Sequence, residues 1–144
     1  MLLPREPDDL GVWLAEAAAF DAAGADALWV DVVPRPACDP WTLTAALAAL
    51  TYRSMIVMIM PDGRQEAVAT LDRLCRGRLG RVEDHTDWVL TPVPEGRAAW
   101  RDALAAAAER GATGVRVPAD PRLLDLLRNP EDPGDRADLQ LAQG

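Results

Sequence analysis

The chain has 144 residues, 49% of them hydrophobic and 26% charged, which fits one globular domain able to bury a core and excludes a disordered chain. Its formal charge is -8 and its 15 basic residues are all arginine, so lysine Schiff-base chemistry is excluded, and an acidic surface argues against nucleic acid or an anionic membrane as partner. Cys38 and Cys75 form no disulfide framework and no apolar run reaches the ~20 residues that span a bilayer, so a soluble, cytoplasmic protein is expected.

Asp8 or Asp9 can cap a first helix, in which Leu10, Trp13, Ala17 and Phe20 recur at steps of three and four until Gly24 ends it. Residues 27–33 are a short, nearly continuous apolar run closed by Pro34, the composition of a strand buried on both faces. Asp39-Pro40 supplies a cap and a pre-set first residue for a helix reaching Thr51. Residues 54–60 read as a second buried strand and Pro61-Asp62-Gly63 as a turn. A third helix over 65–76 puts Val68, Leu71 and Cys75 on one face, and Gly77 ends it.

A weaker strand is expected over 79–82 and a clearer one over 87–93. A long helix then runs from Pro94-Glu95 to Gly111, followed by a strand over 114–117 and a short helix over 121–127. Helix alternating with strand over short connections predicts an α/β fold, a partial (β/α) barrel-like arrangement with a mainly parallel sheet and outer helices. The strands over 28–33, 55–60, 88–91 and 115–117 are expected to be neighbours. A full barrel of eight units needs roughly 250 residues, so about four or five units fit this length and cannot close it. Residues 1–128 are expected to form a single domain, and the Pro-rich polar text of 129–144 a tail.

Three local texts carry a family resemblance. Phe20-Asp21-Ala22-Ala23-Gly24-Ala25-Asp26-Ala27-Leu28-Trp29-Val30 is similar to a helix, a glycine and a tryptophan-bearing second strand. The stretch from Asp39-Pro40-Trp41 to Thr51-Tyr52-Arg53 is similar to an Asp-Pro-capped helix ending in Thr and a basic residue. Ala69-Thr70-Leu71-Asp72-Arg73-Leu74-Cys75-Arg76-Gly77-Arg78-Leu79 is similar to a helix finishing Leu-Asp, Leu, Ser, Gly-Arg. In this order they resemble the N-terminal part of the luciferase-like monooxygenases, which depend on a flavin or deazaflavin. The chain departs from that pattern where a histidine-containing text usually follows the tryptophan strand: Asp31 is followed by Val32, Val33 and Pro34.

Asp31 stands at the carboxyl end of an expected parallel strand, where such sheets meet ligands, and is the first catalytic candidate; its alternative is a salt bridge to Arg35 or Arg53. His85, the sole histidine, is the second, as a general base near neutral pH. Its surroundings Glu83-Asp84-His85-Thr86-Asp87 are too crowded in sequence for a closed metal site, so no metal is expected. Trp29 and Thr91 are the candidate cofactor contacts, although the five tryptophans read as core first. Arg73, Arg76, Arg78 and Arg81 read as charges complementing a helix end, and Cys75 as core.

The resemblance implies a shortened flavin (FMN) or deazaflavin-dependent oxidoreductase or monooxygenase with catalysis weak or lost. The alternative is a non-catalytic binding or assembly module. In either case a homodimer through the helices of residues 40–51 and 65–76 is expected, covering edges that an unclosed sheet leaves open.

Overall fold

The structure, a computed structural model, describes residues 1–3, 8–30, 38–60 and 63–129. Helix α1 (Leu10–Ala23) starts where the Asp9 side chain accepts the Val12 amide at 3.0 Å and stops at Gly24, whose φ of 97° is left-handed. Helix α2 (Pro40–Leu50) starts where one Asp39 oxygen accepts the Thr42 amide and hydroxyl, both at 2.8 Å. These donors hold the Asp39 carboxyl below its ordinary pKa. Both caps are the ones the sequence indicates.

Strands β1 (Ala27–Val30), β2 (Met55–Met58) and β3 (Leu79–Arg81) form one parallel ladder, with Trp29 opposite Val57 and Val57 opposite Gly80. Helix α3 (Gln65–Cys75) lies between β2 and β3 in sequence. A 3-10 turn (Val82–His85) leads to β4 (Trp88–Leu90), which pairs in parallel with β5 (Gly114–Arg116) across α4 (Arg97–Glu109); α5 (Leu123–Arg128) follows. The fold is thus mixed α/β with parallel strands, as the alternation indicates.

It differs from the expected single sheet. The strands form two ladders, and among the described residues none joins β3 to β4, so there is no closed barrel. The cause lies in chain length: parallel neighbours need a crossover of about a dozen residues, and the turn from β3 to β4 is shorter than that. The two ladders are linked instead by the first residues of the chain. Leu2 bridges Trp29 on one side and Pro118 on the other, with the Trp29 amide donating to the Met1 carbonyl at 2.7 Å and the Leu2 amide to that of Val117 at 2.8 Å.

Alternate strand residues face opposite ways. Leu28, Val30, Ile56 and Met58 pack with Trp13, Ala17 and Phe20 of α1, Leu47 of α2 and Leu71 of α3. Ala27, Trp29 and Val57 turn the other way and meet Met55, Val82 and Trp88. All of β1 is buried, as its composition indicates. Cys75 belongs to the helix-side core, and burial pushes its thiol up. Several expected ends are shorter in the structure: β2 stops at Met58 and α4 begins at Arg97. The extension of β1 to Val33, Pro61 and Asp62 of the turn, and the tail from residue 130 lie outside the described residues.

The joint between α2 and β2 is held by two charged side chains. Asp21, 5% exposed on α1, accepts the backbone amides of Tyr52 (2.9 Å), Arg53 (3.0 Å) and Ser54 (2.6 Å). From the other side Arg78 donates to the carbonyls of Thr51 (2.8 Å) and Ser54 (2.6 Å). The reading of Arg78 as a helix-end charge is therefore corrected. It is a bracket on a loop, because the left-handed turn at Arg76 and Gly77 swings it back across the end of α2.

Candidate functional site

A cavity of about 180 Å³ opens at the carboxyl ends of the strands. A wall residue stands at or just beyond the end of every strand: Val30 in β1, Ile59 after β2, Val82 after β3, Leu90 in β4 and Arg116 in β5. Trp29 and Leu2 complete the lining. Carboxyl ends of parallel strands are where α/β sheets ordinarily meet ligands, because the loops leaving them can be shaped without disturbing the ladder.

The Trp29 indole, 2% exposed, is the centre of the wall. The Arg116 guanidinium lies over its ring, with Cζ 4.7 Å from the centroid, a cation–π stack. Trp88 tilts against Trp29 at 5.7 Å between centroids, and His85 meets both rings edge-on, at 6.0 Å from Trp29 and 5.7 Å from Trp88. Two glycines make room for this cluster. A Cβ on Gly80 would come within 2.7 Å of Met55 Sδ and 3.2 Å of His85 Nε2, and one on Gly114 within 2.6 Å of the Trp88 ring. Gly114→Ala is accordingly expected to cost about 1–3 kcal/mol in chemical denaturation, with loss of near-UV circular dichroism as Trp88 is pushed off its partners. Unchanged stability and signal would mean that the ring has space to move aside.

The polar groups in this wall are incompletely matched. Trp29 Nε1 and Arg116 Nε are both buried and neither has a hydrogen-bond acceptor, although buried donors are nearly always paired. No carboxylate or carbonyl of the described residues receives a hydrogen bond from the Arg116 guanidinium; the arginines at 78, 97, 110 and 122 donate to one, and those that likewise donate to none, at 53, 64, 73, 76, 81, 101 and 128, are exposed where Arg116 is half-buried.

Of the four residues singled out from sequence, Trp29 lines the cavity. His85 packs edge-on against the Trp29 and Trp88 rings and is not among the residues that line the cavity. Thr91 follows β4 and donates its backbone amide to the Arg116 carbonyl at 2.8 Å, holding β4 to β5 rather than lining the cavity. Asp31 and Arg35 lie outside the described residues. Arg116 was not singled out, yet its signal was present: a charge inside the apolar text Gly114-Val115-Arg116-Val117, the same kind of signal that marks Asp31.

A second, larger depression of about 440 Å³ lies on the outside between α2 and α3, lined by Trp41, Ala45, Ala67, Leu71 and Leu74 among others. Arg64 stacks over Trp41 there at 5.5 Å. No group of three or more metal-ligating side chains occurs among the described residues, and none of their helices is long and apolar enough to cross a membrane. Comparison with family models, curated proteins and solved structures finds no match to this chain.

Proposed function

We propose that this chain is a small-ligand-binding α/β module built on a shortened luciferase-like plan, with its pocket at the carboxyl ends of the strands and redox catalysis weak or lost. The observation that carries the reading is the cavity with a wall residue at or just beyond the end of every strand. The partial-barrel reading draws support from the strand order β3-β2-β1, then residues 1–3, then β5-β4, whose side away from α1, α2 and α3 gathers Trp29, Val57 and Trp88.

A flavin or deazaflavin is the cofactor that the resemblance implies, and the described residues do not fit its ring. Cofactor pockets hold roughly 300–1,000 Å³, against about 180 Å³ here. Trp29 would have to leave its packing to stack on a tricycle. A ligand smaller than a flavin suits the pocket better. Mass spectrometry of whatever the purified protein releases on denaturation tests this: a small molecule below flavin mass is expected. Stoichiometric FMN or deazaflavin retained through gel filtration would overturn it in favour of the oxidoreductase.

Assembly has its own support. The depression between α2 and α3 is mostly apolar, with Thr42, Glu66 and Thr70 also in its lining, and Leu74 on its rim is 49% exposed, a surface of the kind that a second copy covers. Light scattering at micromolar concentration is expected to give twice the 15.6 kDa chain mass, with Leu74→Asp splitting the pair. A monomer at every concentration would contradict it.

A further inference from the structure

We propose that the occupant of the strand-end pocket is a small monocarboxylate with an apolar body, held by Arg116; the inference rests on the pocket reading above and names its ligand class. Among the described residues Arg116 is the only charged group in the lining. Its guanidinium is spread over the Trp29 ring and has no acceptor among the described residues, in a chain whose formal charge is -8 and which therefore offers carboxylates in excess. An arginine held in this way, with its planar fork unengaged, matches a carboxylate, which it can receive through two parallel N–H···O bonds.

The remaining walls set the body of the ligand. Val30, Ile59, Val82 and Leu90 carry no polar side-chain atoms. An apolar cavity of roughly 150 Å³ accommodates a benzene ring, so about 180 Å³ suits one ring or a short branched chain together with its carboxylate. A phosphate dianion fits less well. It needs a second cation or an array of backbone amides, and among the described residues the lining supplies one cation. The stack on Trp29 also fixes the guanidinium before the ligand arrives, which lowers the ordering cost of binding.

Titration of the intact protein with benzoate, benzamide and inorganic phosphate at constant ionic strength, followed by calorimetry and tryptophan fluorescence, tests the proposal. Benzoate is expected to bind at least 10-fold more tightly than isosteric benzamide. Arg116→Met is expected to remove that preference while leaving benzamide binding in place; should it fold poorly, Arg116→Lys is expected to keep part of the preference. The wild-type comparison needs no variant. Equal binding of benzoate and benzamide overturns the anion class but leaves the pocket standing. Binding of neither overturns both the ligand class and the pocket reading, and tighter binding of phosphate than of benzoate overturns the monocarboxylate.

Discussion

Asp21→Ala is expected to destabilise the protein by about 4 kcal/mol, a fall in Tm of roughly 10 °C for a domain of this size. The carboxylate is buried and accepts three consecutive backbone amides, those of Tyr52, Arg53 and Ser54. Removing it leaves three donors with no acceptor in a loop that cannot all turn to water, because Ser54 is itself fully buried and its hydroxyl is committed to the Ala25 carbonyl at 2.7 Å. Arg78 would then hold the same loop alone. Burial pushes the Asp21 carboxyl up, but the amides of Ser54, Tyr52 and Arg53 pull it down further, so its pKa sits below the ordinary value.

The pH dependence follows from that direction. A carboxyl with a lower pKa folded than unfolded contributes stability that is fully present above the unfolded value of about 3.9 and is lost as pH falls through the folded value. The stability gap between wild type and Asp21→Ala should therefore be constant near neutrality and shrink below about pH 4. Urea denaturation at pH 7 and at pH 3 measures both gaps. Equal gaps would show that the contribution of Asp21 does not depend on its charge.

Trp29→Ala is expected to cost about 3–5 kcal/mol, the range for truncating a large aromatic side chain in a packed core. The indole touches both other rings of the cluster and carries the Arg116 cation on its face. Its loss would leave a void beneath the strand-end cavity and release the arginine. Trp29→Phe separates the two roles of the ring. Nε1 makes no hydrogen bond, so phenylalanine forfeits volume but no partner, and a cost of about 1–2 kcal/mol is expected. Thermal denaturation of both variants checks the pair. A loss in Trp29→Phe well beyond about 2 kcal/mol would show that the indole N–H has a partner.

What was legible in the sequence follows the range over which each interaction acts. Asp9, Asp39-Pro40 and Gly24 act on backbone within three residues of themselves, and the helix ends they mark are where the structure has them. The buried strand texts act through composition, and β1 and β2 follow from it. The strand-like bridge at Leu2 was not legible, because three residues are too few to show a period. Asp21 was hidden for a different reason: its partners are backbone amides 31 to 33 residues away, which no side-chain pattern records.

The same distinction applies to the candidate site. Trp29 stood out as an aromatic side chain in a strand buried on both faces, and it lines the cavity. His85 stood out by its chemistry alone, and chemistry did not reveal that Gly80 and Gly114 clear a space in which its ring and that of Trp88 pack together. Arg116 went unmarked because a single charge in a short apolar text does not by itself show whether it faces solvent or a cavity.

The central claim, a small ligand at the strand ends, is tested most directly by the indole N–H resonances in a 15N-correlated spectrum during a benzoate titration. The chain has five tryptophans, and Trp29 is assigned by the peak that disappears in Trp29→Phe. The Trp29 peak is expected to shift most and to saturate, while Trp41, in the depression between α2 and α3, stays in place. A saturable shift centred on Trp41, or no shift at any indole, would contradict it.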